Sequence, residues 1–173
     1  GYTNEKVRNM VIDELLVSGD SLRAGMQIAD SVNAAKAKLI YLVFEEFEKQ
    51  LAGVAERNHW TREKKSNWYE YKEQADEFFY KWNTTYPGIN YIVNDAPMPD
   101  GKQLWFRVEV EHRLFAGFCV FDPNAESEEG HGDQVDEYDA ATVKAVGHYL
   151  KISAADHKDW WATRCYLPAG EQK

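Results

Sequence analysis

The sequence lacks the features that would assign a function directly. It has two cysteines, Cys119 and Cys165, too few for a disulfide framework and too isolated for a zinc motif. We expect both to be buried, reduced thiols, which suits a cytoplasmic protein. The five histidines show no ligand spacing, and there is no glycine-rich phosphate loop and no serine nucleophile elbow. Because no apolar run approaches the ~20 residues of a membrane span, no membrane contact is expected.

The composition is that of an ordinary globular domain. The 173 residues are 44% hydrophobic and 28% charged, so the chain is long and apolar enough to bury its own core without metal or disulfide. A net charge of -9 disfavours a protein that holds phosphate backbones by bulk charge, although it leaves room for a local basic patch. The chain begins with Gly1 instead of methionine, which is typical of a cleaved tag, so we expect a piece excised from a longer protein.

Hydrophobic periodicity predicts one α+β domain over residues 1–173. Residues 1–85 are expected to be mainly helical, with helices over 4–17, 22–54 (weakest at 30–33) and 60–82, the last at least from 67 onward. Residues 86–121 change to a period of two and predict a short strand followed by a hairpin. Residues 122–173 predict an acidic loop, a helix over 140–150 and a final strand at 163–167. Long helices packed on an antiparallel sheet of about three to five strands are the expected architecture.

Strict alternation divides the side chains of the central hairpin strand between two faces. We expect the apolar set to be buried against the helices: Leu104, Phe106, Val108 and Val110. We expect the charged set to form the solvent face of the sheet: Arg107, Glu109 and Glu111.

Three carboxylates at this strand offer the arrangement most suggestive of catalysis. Divalent-metal nucleases of the PD-(D/E)XK kind place one acid before an acid-x-Lys strand, where the acids bind Mg²⁺ and the lysine orients water. Asp100 and Glu109 fit the two acids, but Glu111 stands where the lysine is needed. The favoured interpretation is therefore a polar sheet face with no catalytic residue and no cofactor. A Mg²⁺-dependent nuclease through Asp100, Glu109 and Glu111 is the alternative.

The segment from 59 to 72 interleaves aromatic and basic side chains. Aromatic rings can stack on bases while cations follow the phosphates, so this segment contains the candidate nucleic-acid contacts. They are Trp60, Arg62, Lys64 and Lys65. Trp60 is the aromatic residue expected to be exposed. The competing interpretation assigns the aromatic residues to a helix core and the lysines to ordinary surface.

The acidic loop over 126–139 carries seven acids and no lysine or arginine. A calcium loop needs a glycine at its sixth position and a glutamate at its twelfth. Counted from Asp122, these positions hold Ser127 and Asp133. We therefore expect residues 123–136 to be mobile and to bind no structural calcium.

Five segments share a pattern of strands, turns and tryptophans. They are Tyr-Pro-Gly-Ile-Asn-Tyr at 86–91, Leu-Trp-Phe-Arg-Val-Glu-Val at 104–110, Leu-Phe-Ala-Gly-Phe-Cys-Val-Phe at 114–121, Trp-Trp at 160–161 and Tyr-Leu-Pro at 166–168. Together they resemble the C-terminal half of a group of bacterial PD-(D/E)XK nuclease-superfamily proteins, over about residues 20–168. In that group the catalytic core lies in the N-terminal half.

The resemblance implies a non-catalytic accessory domain. Its partners would be nucleic acid or the catalytic domain that precedes it in the same protein. No catalytic residue is carried over, because the acid and acid-x-Lys motifs of that group have no matching strand here. A protein-interaction module with no nucleic-acid role is the second alternative.

Overall fold

The computed structural model describes residues 4–64, 70–79, 86–111, 113–127, 132–153 and 160–167. Its helices are α1 (Asn4–Leu15), α2 (Gly19–Arg57), α3 (Tyr71–Gln74) and α4 (Ala140–Leu150). Its strands are β1 (Trp60–Glu63), β2 (Gly88–Val93), β3 (Gln103–Val110), β4 (Leu114–Asp122), β5 (Asp133–Gln134) and β6 (Thr163–Tyr166). A 3-10 turn at Pro99–Gly101 precedes β3. The fold is α+β, as predicted.

The described strands form one antiparallel sheet in the order β1-β2-β3-β4. The outer edge of β4 pairs with two short strands: β6 lies along residues 115–118, and β5 lies along Phe121 and Asp122. The predicted hairpin is β3–β4, with Arg107 opposite Gly117. On its other side β3 pairs with β2, and Arg107 lies opposite Asn90. The hairpin therefore occupies the middle of the sheet, as predicted.

Helix α2 is one continuous element of 39 residues, about 58 Å long at 1.5 Å per residue. The Ser18 hydroxyl accepts a hydrogen bond from the Ser21 backbone N–H at 3.0 Å, which caps the helix start. The helix continues through the expected weak point at 30–33. Its first buried residue is Ala37, so only the C-terminal half packs on the sheet.

One face of the sheet carries both packed helices. Near α2, the side chains of Phe44, Tyr71, Ile89 and Val108 form a common core. Near α4, Val146 packs with Leu104 and other apolar side chains of the same face. Leu104 and Val108 are fully buried, and Phe106 and Val110 are half-buried. The expected burial is therefore confirmed for Leu104 and Val108. All four side chains face the helices, as expected.

The opposite face is not the solvent face that the alternation predicted. Arg107 is 0% exposed and Glu109 7% exposed. They lie beside a second apolar cluster, in which the Trp105 ring stacks on Phe121 with centroids 4.0 Å apart. Trp161 covers part of this cluster and contacts Phe115 edge-on at 5.3 Å. Alternation fixes which side chains share a face, but it contains no information on whether a distant segment covers that face.

The helix predicted over 60–82 is wrong in its first part. Helix α2 ends at Arg57, and His59 has a positive φ of 55°. Residues Trp60–Glu63 then form strand β1, which pairs with β2. Helical structure returns only in the short α3, while 65–69 and 80–82 lie outside the described residues. The first four residues of the predicted helix therefore belong to the sheet, where pairing with β2 supplies their backbone hydrogen bonds.

Two smaller expectations also need correction. Cys119 is buried, but Cys165 is exposed, because it lies on the short strand β6 at the sheet edge. The acidic segment is not a continuous loop, since Asp133–Gln134 pairs with β4. Gly132, with φ of 81°, lies so close to β4 that a Cβ there would be 2.6 Å from the Asp122 carbonyl oxygen. The end of the acidic segment therefore lies directly against the sheet at Gly132.

Replacing Val108 with Asp tests the register of β3. The side chain is 2% exposed within the α2 core, so an unpaired carboxylate there should cost about 3–5 kcal/mol and lower the melting temperature by about 10 °C or more. Ala141→Asp is the matched control, because Ala141 is exposed in the first turn of α4 and should tolerate the charge. Equal melting temperatures for the two variants in thermal denaturation would contradict the register.

Candidate functional site

The structure separates the three acids of the candidate metal site. The Asp100 side chain is 77% exposed in the turn before β3 and lies 3.4 Å from the Lys102 ammonium. Glu109 lies near the far end of the strand, six residues beyond Gln103, which is about 20 Å at ~3.3 Å per residue. One Mg²⁺ holds its oxygen ligands at ~2.1 Å, so it cannot bind Asp100 and Glu109 together. Glu111 follows the end of β3, close enough for its charge to act on Glu109.

Glu109 is instead part of a buried hydrogen-bonded group, the Arg107 network. Arg107 Nε donates to Glu109 Oε2 at 2.5 Å, and Arg107 Nη1 donates to Asn90 Oδ1 at 2.5 Å. Arg107 Nη2 donates to the Tyr86 carbonyl oxygen at 2.7 Å. The guanidinium thus already binds one of the two Glu109 carboxylate oxygens. The network joins β2 to β3 and has the geometry of a structural ion pair.

Burial dominates the electrostatics around this network. Desolvation raises the pKa of Glu109, an effect that the charge of Glu111 strengthens and that Arg107 opposes. Desolvation also raises the pKa of Cys119 to about 12, so its thiol stays protonated at neutral pH. A protonated, fully buried thiol is not a nucleophile. The Cys119 thiol is therefore not prepared for nucleophilic catalysis.

The candidate nucleic-acid contacts are not an exposed stripe. Trp60 is half-buried and stacks on Phe106 with ring centroids 4.9 Å apart, which corrects the expectation that its ring is exposed. The Arg62 side chain is only 13% exposed, and its Nη2 lies 2.6 Å from Glu70 Oε1. Lys64 is half-exposed, and its Nζ lies 2.7 Å from Glu48 Oε1. Lys65 lies outside the described residues.

Glu48 holds these basic residues in place. Burial acts to raise its pKa, but the hydrogen bond from Lys64 and the charge of Arg62 outweigh it and keep the pKa below the usual range. Glu48 Oε2 also accepts a hydrogen bond from the Tyr71 hydroxyl at 3.2 Å. Because Glu48 lies on α2, Arg62 on β1 and Tyr71 on α3, the carboxylate joins three elements. These cations are therefore committed to internal partners.

The described residues also offer neither a metal-ligand cluster nor a membrane-spanning helix. There, no three His, Cys, Asp or Glu side chains are grouped so that they could hold a metal ion. Of the helices in the described ranges, none combines the length and the apolar character needed to cross a bilayer.

The most unusual surface is the helical arm, which we define as residues 4–42. None of residues 5–14 and 16–36 is buried. Twelve large apolar side chains of the arm are 39–72% exposed: Val7, Met10, Val11, Ile12, Leu16, Val17, Leu22, Met26, Ile28, Val32, Leu39 and Leu42. Monomeric proteins rarely expose contiguous apolar patches above ~300–600 Å². The arm is therefore the candidate functional surface.

Within the arm, one row of side chains has regular spacing. This row, the α2 seam, consists of Ile28, Val32, Ala35, Leu39 and Leu42, with steps of four, three, four and three. Such steps keep the side chains on one stripe of a helix and are the pattern of a coiled-coil interface. The next position in the series is Glu46, which ends the stripe on the surface beside Lys49. Helical periodicity in the sequence picks out the first four of these positions, but it assigned them to the core face of the helix, and it missed Leu42.

Comparison with known proteins adds no constraint: no family model, no curated protein and no solved structure matches this chain.

Substitution of Gly88 by alanine tests how closely Arg107 packs on β2. A Cβ at this position would lie 2.4 Å from the Val108 carbonyl oxygen and 2.8 Å from Arg107 Nη2. We expect Gly88→Ala to cost about 1–3 kcal/mol and to lower the melting temperature by several degrees. The matched control is Gly19→Ala at the start of α2, where nothing lies within 4 Å. Calorimetric curves that coincide for the two variants would contradict the close packing of Arg107 on β2.

Proposed function

We propose that this chain is a non-catalytic accessory domain of a nuclease-like protein, and that it acts by binding another polypeptide through its helical arm. The relation to nucleases depends on the resemblance of its strands and tryptophans to that group. The protein-binding role depends on the arm. The presence of two free thiols, one of them exposed, fits a reducing compartment, for which the cytoplasm is our proposal.

The observation that carries the proposal is the exposed apolar surface of the arm. Exposed side chains of Leu, Ile, Val and Met contribute nothing to the stability of this domain, and each buried one would gain ~1.5–3 kcal/mol. The α2 seam runs along a helix that is otherwise rich in polar residues, so its regular spacing suits a second helix. A partner that covers the seam would remove this surface from water.

The metal-nuclease alternative is disfavoured by geometry. Glu109 lies about 20 Å along β3 from Gln103, where the strand begins, and Asp100 lies in the turn before that beginning. Glu109 is bound by Arg107 within the sheet. A hydrolytic site would need the acids to converge on an ion and a group to orient water. The described residues present no such convergence.

A cleavage assay tests the non-catalytic part of the proposal. Purified protein is incubated with plasmid and single-stranded substrates plus Mg²⁺ or Mn²⁺, and we expect the substrates to stay intact. Glu109→Ala and Glu111→Ala are the variants to run in parallel. Metal-dependent cleavage that disappears in both would overturn the proposal and establish the nuclease alternative.

A stability measurement tests whether the seam serves binding instead of folding. Leu39 and Leu42 are 62% and 48% exposed, so the double variant Leu39→Gln/Leu42→Gln should keep the parent melting temperature within about 2 °C. The measurement is made at about 1 μM, where association contributes least. The matched control Leu104→Gln, at a fully buried position, should lower it by about 10 °C. A loss in the double variant as large as in the control would show that the seam is core.

A further inference from the structure

We infer that the polypeptide covering the α2 seam is a second copy of this chain, so that the domain is a dimer held by its α2 helices. This inference rests on the proposed function and names the partner for the same surface. Three properties of the arm favour a second copy: the spacing of the seam, its area and its charge.

The spacing is self-complementary. In a coiled coil, each side chain of an apolar seam inserts between four residues of the facing helix, and an identical seam offers the matching holes. From Ile28 to Leu42 the seam spans 14 residue steps, about 21 Å of helix. Ala35, the small residue at its centre, leaves room for a close approach of the two helices. A seam of two heptads forms a short interface, so the surrounding apolar side chains are needed as well.

The area is sufficient for a standard interface. Taken at roughly 100 Å² each, the twelve exposed apolar side chains of the arm present about 1,200 Å², whereas a standard interface buries ~800 Å² per partner. About two thirds of this surface would therefore be enough. Met10 and Val11, on α1, are exposed as well and belong to this surface.

The charge of the arm permits self-association. Residues 4–42 contain five acidic and five basic residues, which leaves a net charge of zero. The chain as a whole carries -9, so the entire excess of negative charge lies outside the arm. Two copies of an acidic protein repel each other in general, but two neutral arms can meet without that repulsion. A strongly basic partner would be attracted to the acidic residues outside 4–42 and not to the neutral arm.

Light scattering coupled to size exclusion tests the inference on the intact chain. At on the order of 50 μM, we expect a mass of twice the 20.0 kDa chain. The dimer should persist at about 1 M NaCl, because salt screens charges and does not weaken apolar contacts. Leu39→Glu/Leu42→Glu should return the mass to that of one chain. Ala34→Glu, which adds a charge to an exposed position away from the seam, should leave the dimer intact.

The outcomes separate this inference from the proposed function. A single-chain mass at every concentration overturns the second copy as partner, while unchanged melting of the Leu39/Leu42 glutamine variant keeps the seam as a binding surface. A dimer that dissociates at high salt, or that survives the glutamate variant, overturns the seam as its interface. A dimer lost in Leu39→Glu/Leu42→Glu and kept in Ala34→Glu supports it.

Discussion

Burial of the Arg107 guanidinium is the constraint on which the rest of the sheet depends. A charge that is fully removed from water must be paired and hydrogen-bonded, and removing one partner of such a pair typically costs ~3–5 kcal/mol. Glu109, Asn90 and the Tyr86 carbonyl provide those partners, and two of them belong to β2 and to the segment that leads into it. The absence of a side chain at Gly88 gives the guanidinium its space. The register between β2 and β3 is thereby fixed by a polar group and not only by apolar packing.

The same ion pair also determines what the charged side chains of the sheet are used for. The Arg107 guanidinium binds the Glu109 carboxylate at 2.5 Å, and this pair belongs to the hydrogen bonds that join β3 to β2. Glu48 has the equivalent role on the helix side, where Arg62 and Lys64 surround it. The charged residues that looked most functional in the sequence are thus used to join elements. What is left for function is the surface that the domain does not use for itself.

That surface is the helical arm. The packed half of α2 supplies Phe44 and Ala55 to the core, and the other half has no sheet beneath it. The hydrophobic effect applies equally to both halves, so an exposed stripe of Ile28, Val32, Leu39 and Leu42 is a surface that gains free energy when it is covered. An interaction role explains both the length of the helix and its spacing without requiring an active site.

Local periodicity alone determined the helix over 140–150, the hairpin strands and the sorting of β3 side chains into two sets, because these follow from backbone geometry. It also predicted most of the length of α2 as helix. Only the tertiary structure decided that Arg107 and Glu109 are buried, that Trp60 belongs to a strand, that Asp100 is remote from Glu109, and that half of α2 has no core to cover. Each of these depends on which distant segment comes to lie against a given face, and that information is not contained in the spacing of neighbouring residues.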